Sequence, residues 1–479
     1  MGVVVTRDGI DVPAPGAARS WWLQEALAAD PGAPCPPLEA HVSADVVIVG
    51  GGFAGLWTAV ELTRREPALR IALLEADIVG GGASGRNGGF VSSSWYDLPA
   101  LVGLFGESEG LRYAHAQADG IGRIGAFVAE HGIGCGFHHE GAMSAVAGPW
   151  QAGDGAAPAL AERLGVGDRI RRLDAGEARA IADSPRFLAG TFTPDCAICQ
   201  PAALARGLRR VLLERGVNIF ERTPARAVER SRPAVVRTDR GAVRADQVVF
   251  TVGAWAAGWP GFRRSFGVIS DYVVATEPIP DRLAGIGWTS HVGLSDRREW
   301  LYYLRPTDDG RIVIGGGEGG AIWGGRASGR AATHSRRFGR APARGLRWLF
   351  PQLEGVRFTH AWGGPIDQTP TFVPFYRSDG PVHAGLGFSG HGLVQTEIGG
   401  HILASTVLGT EDEWSSLAVN RPETAMAPPE PFRYGAVAVA AWALGRGDAR
   451  EQAGRSRGLA YGAIGGAPIR YRDGLTESQ

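Results

Sequence analysis

Residues 44–75 read ADVVIVGGGFAGLWTAVELTRREPALRIALLE, and the fold of the chain turns on them. Residues 45–49 read as a continuous, largely apolar strand buried on both faces, running straight into Gly50, Gly52 and Gly55 in the spacing G-x-G-x-x-G. Residues 53–65 place Phe53, Leu56, Val60 and Thr63 near one face of a helix, and residues 71–74 form a second apolar run ending in Glu75. Together they predict one complete βαβ unit. In such a unit Gly50 makes the turn, Gly52 lets backbone approach a pyrophosphate, and Gly55 lets the helix close on the strand. The helix N-terminus then faces the anion. Glu75 stands about 20 residues beyond the last glycine, where a carboxylate reaches a ribose hydroxyl. The expected ligand is a dinucleotide.

The 479 residues allow two or three domains with a large buried core. Basic and acidic residues number 49 each, so overall charge implies neither nucleic acid nor an anionic membrane as partner. No run approaches the roughly 18 apolar residues of a membrane span. The opening MGVVVTRDGIDVPAPG lacks the regions of a signal peptide, and the expected location is cytoplasmic. Cysteines at 35, 135, 196 and 199 are too few for a disulfide framework. Cys196 and Cys199 form C-x-x-C, but no second Cys or His pair completes a zinc site, so no metal is expected.

Residues 1–43 read as a proline-rich surface arm. After Glu75 the stretch ADIVGGGASGRNGGFVSSSW leaves little side chain to pack, so something flat or polar should lie against its backbone. Residues 97–132 are helical in pattern, residues 201–215 form an amphipathic helix, and residues 266–317 alternate in the antiparallel manner around turns such as TDDG. The economical arrangement is two interleaved domains. Gly315, Gly317 and Gly320 repeat the G-x-G-x-x-G spacing, but AIWGGRASGRAATHS after them is a poor helix start and no acid-tipped strand follows, so this copy is a decoy. Glycines at 385, 387, 390 and 392 precede a helix carrying Ile398, Ile402, Leu403 and Val407, a second turn suited to anionic or electron-rich groups. The tail from Glu411 reads as a helix without chemistry.

Four blocks now stand in order: ADVVIVGGGFAGLWTA with LLEAD, GASGRNGG at 82–89, TVGAWA at 251–256 and GFSGHG at 387–392. They resemble the superfamily of FAD-dependent oxidoreductases that includes glycine oxidase, sarcosine oxidase and D-amino-acid oxidase. GASGRNGG and the tail PPEPFRYGA look most like the gamma-glutamylputrescine oxidase branch. The resemblance implies an α/β plus α+β fold, in which a Rossmann-type FAD-binding domain is interleaved with an antiparallel-sheet substrate domain, as in p-hydroxybenzoate hydroxylase. Residues 44–96, 186–257 and 358–410 would form the first, residues 97–185 and 258–357 the second, and 411–479 a helical tail.

By the same resemblance Gly50, Gly52, Phe53, Ala54 and Gly55 cradle the FAD pyrophosphate, and Glu75 and Ala76 meet the adenosine ribose. Ala83, Ser84, Gly85, Arg86, Asn87, Gly88 and Gly89 run beside the flavin. Ala225, Thr251, Gly253 and Trp255 belong to the adenine half, and Ser389, Gly390, His391, Gly392, Leu393, Val394 and Thr396 to the pyrimidine end. The implied chemistry is hydride transfer from the carbon next to a neutral amine to the flavin, giving an imine that water hydrolyses, with oxygen as the final acceptor. His391, Tyr302, Tyr303 and Trp362 are candidates for the pocket wall, and Arg305 or Arg86 for an anion.

Three departures refine this. The lysine that sarcosine oxidases use for the substrate carboxylate appears here as Val394, and the glycine-oxidase arginine falls at Gly390. The region in which sarcosine oxidases attach FAD reads AWGGPIDQTP, without cysteine, so non-covalent FAD is expected. Their oxygen-activating lysine aligns with Val313. A small primary or secondary amine is the expected substrate. The alternatives are a free amino acid, a dehydrogenase using another acceptor, a non-catalytic flavin protein, and an NAD-linked dehydrogenase.

Overall fold

The first strand, His41–Val49, enters the glycine turn and is followed by the helix Phe53–Arg65 and the strand Ile71–Leu74. The computed structural model describes residues 12–13, 19–152, 155–422, 426–458 and 461. Gly50 adopts φ +111°, and a Cβ on Gly55 would stand 2.2 Å from the Gly50 carbonyl oxygen. Only glycine at both places lets the helix start this close to the strand.

Around this unit the first sheet runs in the order Phe375–Asp379, Val382–Leu386, Ala242–Phe250, His41–Val49, Ile71–Leu74, Asn218–Phe220. Along this order all neighbours are parallel except the Phe375–Asp379 edge, and Ala234–Arg237 with Ala227–Glu229 branches antiparallel from Ala242–Phe250. His41–Val49 sits in its middle, which is why its last four residues are all buried. The helices Phe53–Arg65, Pro201–Glu214 and Gly392–Leu408 pack one face through Leu56, Leu208 and Ile398. The second sheet is built on the strand Gly267–Thr276, flanked by Ile312–Gly316 and Phe358–Gln368 and extended to Arg171–Leu173. Its pairs are antiparallel apart from Gly293–Asp296 beside Ala142–Val146.

The boundaries differ from the sequence reading in three places. Ala189–Thr193 and Phe358–Gln368 are strands of the second sheet, the latter paired with Gly267–Thr276 along nearly its whole length. The helix Leu98–Glu130 instead packs Tyr113, Ala114, Ile121 and Ile124 into the same hydrophobic core as the first sheet and its helices. Its Gly120 admits the Val394 methyls, which a Cβ would meet at 2.8 Å.

Nor does the N-terminal arm lie wholly on the surface. Trp21, Trp22 and Leu23 are buried beside Val273, Val313 and Trp362, and aromatic burial on this scale anchors a segment firmly. The tail helix Phe432–Gln452 contacts the strand Gly267–Thr276 and buries Ala443, Gly447 and Asp448. Among the described residues no helix is long and apolar enough to cross a membrane.

Candidate active site

Both sheets open onto one cavity of about 2050 Å³, roughly twice the 1,000 Å³ upper range of small-ligand pockets. That volume suits a dinucleotide with a second molecule beside it. One end is formed by Gly50, Gly52, Phe53 and Ala54, where the first turn of the helix has N–H groups without intrahelical partners. Ser84 Oγ accepts from the Phe53 N–H at 2.8 Å. Glu75 lines the wall; its Oε2 accepts from Gly51 N–H at 2.8 Å and its Oε1 from Asp77 N–H at 2.9 Å. Burial pushes this carboxyl up to about 7. Ala76, Ala225, Thr251, Gly253 and Trp255 continue the same wall. An open helix N-terminus, side-chain-free glycines and a cavity-facing carboxylate are the donor and acceptor set an FAD adenosine diphosphate half needs, so the residues fit the implied cofactor.

Midway, residues 83–88 present a short turn to the cavity, and side chains from three other segments pin it from behind. Trp362 Nε1 donates to the Arg86 carbonyl at 2.8 Å, Trp22 Nε1 to the Asn87 carbonyl at 3.0 Å, and Arg305 Nε to the Gly88 carbonyl at 2.9 Å. Arg305 also donates to the Cys199 carbonyl and stacks over Trp22; burial lowers its pKa to about 10. Trp362 and Arg305 therefore stand outside the cavity wall, because their polar ends are consumed by the loop backbone. Tyr302 is also placed elsewhere. Strand alternation turns it into the hydrophobic core behind the second sheet, with Arg298 over its ring at 4.2 Å. Gly85 and Gly89 serve close backbone packing, against the Gly80 and Cys199 carbonyls respectively.

Tyr303, one residue on, faces the cavity, and its hydroxyl donates to Asp271 Oδ2 at 2.5 Å. Arg86 lines the cavity too, with Nε donating to the Gly81 carbonyl and a terminal nitrogen to that of Gly363. Beyond it the turn Gly387–Gly392 closes the end. Ser389 holds φ +52° there, its Oγ accepting from Thr369 N–H, and His391 Nδ1 lies 3.1 Å from the Ser389 carbonyl. Gly390, Gly392, Leu393 and Thr396 line the cavity. Val394 does not, since it is fully buried against Leu98–Glu130.

Several wall residues were not singled out from sequence. Asp271 lies in a stretch read only for its alternation, and Tyr96 falls between the glycine-rich stretch and the helical pattern that begins at residue 97. Asp367, which accepts from Gly387 N–H at 2.7 Å and is pushed up to about 6 by burial, lies in a stretch read only for its lack of cysteine. The tail helix, read as inert, supplies Val437, Ala440 and Leu444 to the wall. Its mixed apolar surface carries no periodic signal that would have shown this. Away from the cavity, His138 and His291 stack at 3.5 Å with Asp308 against both Nε2 atoms, a cluster that could hold a metal ion and that separated sequence positions concealed.

A family model described as FAD dependent oxidoreductase, DAO, matches residues 45–406. The chain is 27% identical over 397 residues to gamma-glutamylputrescine oxidoreductase of Escherichia coli, covering 82% of this chain and 90% of that protein. It is 25% identical over 389 residues to the probable oxidoreductase OrdL of Haemophilus influenzae, covering 79% and 86%. Among solved structures, glycine oxidase from Geobacillus kaustophilus superimposes with a TM-score of 0.65 at 20% identity, covering 79% of this chain and 99% of that one. L-Proline dehydrogenase from P. horikoshii gives 0.64 at 18% identity, covering 79% and 96%.

Proposed function

This chain belongs to the DAO family of FAD-dependent oxidoreductases, and from that premise we propose that it oxidises a small primary or secondary amine lacking an α-carboxylate. The observation that carries this is the state of the two clamp positions. Gly390 brings no side chain to the cavity, and Val394 is turned away into the helix packing. Of the two substitute cations, Arg305 is committed to backbone carbonyls behind the loop, and Arg86 lines the cavity while donating to the Gly81 and Gly363 carbonyls. An α-carboxylate seated at these two positions would lose hydration without a cation from either, a cost of roughly several kcal/mol.

FAD, when bound, accepts the hydride from the amine-bearing carbon. The helix starting at Phe53 and the Glu75 carboxylate would hold its adenosine end, and residues 83–88 its ring. The N-terminus of Gly392–Leu408 favours negative charge at the far end of the cavity. Ile269, Val273 and Leu444 give that cavity apolar walls against which the carbon chain of an amine can pack. Oxygen is the proposed acceptor. The similarity to gamma-glutamylputrescine oxidoreductase supports amines with a remote anionic group as early candidates, with Arg86 a cation lining the cavity.

The test is anaerobic bleaching of the flavin absorption band by aliphatic amines, amines bearing a remote anion, glycine and sarcosine, followed by steady-state rates with oxygen. Aliphatic or remotely anionic amines are expected to exceed the α-amino acids in kcat/KM by tenfold or more, about 1.4 kcal/mol in transition-state binding. An advantage of that size for glycine or sarcosine overturns the proposal and points to Arg86 as a carboxylate clamp.

A further inference from the structure

The strand Gly267–Thr276 presents alternate residues to the cavity, and Ile269, Asp271 and Val273 fall on that side. Asp271 is thus a carboxylate set between two aliphatic side chains. Opposite it in the neighbouring strand is Gly364. Its own partners are few: Oδ1 accepts from Tyr272 N–H at 2.8 Å, Oδ2 from the Tyr303 hydroxyl at 2.5 Å, and the Gly316 N–H is also directed to it. No ion pair reaches it among the described residues, whereas Glu299, Asp195 and Asp296 along the same cavity are each bridged to an arginine.

Tyr303 is placed with evident constraint. A Cβ on Gly315 would stand 2.1 Å from its oxygen, and one on Gly88 2.5 Å from its ring. Two glycines from different segments therefore make the space that brings this phenol onto Asp271. The phenol donates to Asp271 Oδ2 and so fixes the carboxyl in place without bringing it a positive charge. Burial without a cation raises the carboxyl to about 6, so the group still carries its charge at neutral pH and has room for a partner of opposite sign.

We propose that Asp271, held by Tyr303, is the subsite that receives the ammonium form of an aliphatic amine entering the cavity, before loss of its proton to solvent gives the neutral amine that is oxidised, and that it discriminates against α-carboxylates by repulsion. This rests on the amine reading of the active site and gives it a recognition element. The ligand class is an alkylammonium ion. Other cavity carboxylates are poorer candidates, since Glu75 and the adjoining Asp77 stand at the glycine-turn end and Asp367 is bound into the Gly387 turn.

The experiment uses the full-length, FAD-loaded protein and two probes of nearly equal shape. tert-Butylammonium has no hydrogen on its amine-bearing carbon and cannot be oxidised there; tert-butanol is its neutral counterpart. Binding is followed by perturbation of the flavin spectrum and by calorimetry. The wild type is expected to prefer the cation by about tenfold or more, and Asp271→Asn to lose that preference while keeping its flavin content. Retention of the preference by Asp271→Asn overturns the subsite, as does its absence in the wild type. Should Asp271→Asn fail to hold FAD, Asp271→Glu, which keeps the charge, is expected to prefer the cation by threefold or more, and no preference there also overturns it. Bleaching by n-butylamine separates the two levels: a wild type that bleaches while the variant keeps its cation preference sinks the subsite alone. A wild type that no amine bleaches, yet whose cation preference depends on Asp271, leaves the subsite standing and removes the oxidase reading.

Discussion

Gly50, Gly52 and Gly55 share their spacing with Gly315, Gly317 and Gly320, yet a side chain added to the two sets would meet different things. At Gly50 and Gly55 it would strike main chain: the Thr251 carbonyl oxygen at 2.6 Å and the Gly50 carbonyl oxygen at 2.2 Å. At Gly315, Gly317 and Gly320 it would strike aromatic side chains: Tyr303 at 2.1 Å, Tyr302 at 1.9 Å and Phe338 at 2.7 Å. The first set lets a helix start against a strand and leaves its N–H groups toward a cavity. The second lets an antiparallel sheet seat its tyrosines. Glycine spacing records where side chains are excluded, and only the element that follows reveals what fills the space.

The contrast breaks most visibly at Gly55. Gly55→Val must push the helix Phe53–Arg65 off its strand, and we expect the protein to purify without flavin, read from the ratio of visible to ultraviolet absorbance. A variant holding stoichiometric FAD would mean that the helix start is not the pyrophosphate site. Gly317→Ala should act differently. Its φ of +82° and the Tyr302 ring oppose any Cβ, so a loss of about 1–3 kcal/mol is expected, with a lowered melting temperature. The folded fraction should still bind FAD at one per chain. Flavin loss without thermal destabilisation would show that the second motif touches the cofactor after all.

The two glycine sets differ in the same way in what their local sequence reveals. The βαβ unit was legible because strand, glycines, helix and Glu75 are contiguous, so local periodicity carries the tertiary answer. The decoy was legible for the same reason, since no helix follows it. Tyr302 and Tyr303 were not separable, because adjacent strand residues point to opposite faces and choosing between them requires knowing which face meets the cavity. Trp362 and Arg305 looked like pocket residues by type. Their roles depend on the position of a loop nearly three hundred residues away for one of them and over two hundred for the other, as the bonds to Arg86 and Gly88 show. Trp21 and Trp22 were hidden by the prolines around them, which mark an irregular path without saying whether it runs over the surface or into it.

The glycine-rich turn at 80–89 stands between the two motifs, needing both backbone room and side-chain pins, and it gives the smallest test. Gly85 excludes a Cβ because the Gly80 carbonyl oxygen would lie 2.1 Å away, as at a dinucleotide turn, while Gly88 excludes one because of Tyr303, as in the decoy. What fixes its path is the row of donors from Trp362, Trp22 and Arg305. Trp362→Phe keeps an aromatic ring in the cluster with Trp21 and Trp22 but removes the indole N–H, leaving the Arg86 carbonyl without that partner. Losing one such bond in a buried site costs about 1–3 kcal/mol, shared between folding and the geometry of the loop. The variant should therefore bind FAD with a dissociation constant raised by no more than about tenfold, equivalent to 1.4 kcal/mol, and show a shifted visible flavin spectrum as the turn relaxes. Complete loss of flavin would place Trp362 with Gly55 as a condition of cofactor binding. An unchanged spectrum and affinity would mean that the other two donors hold the turn without it.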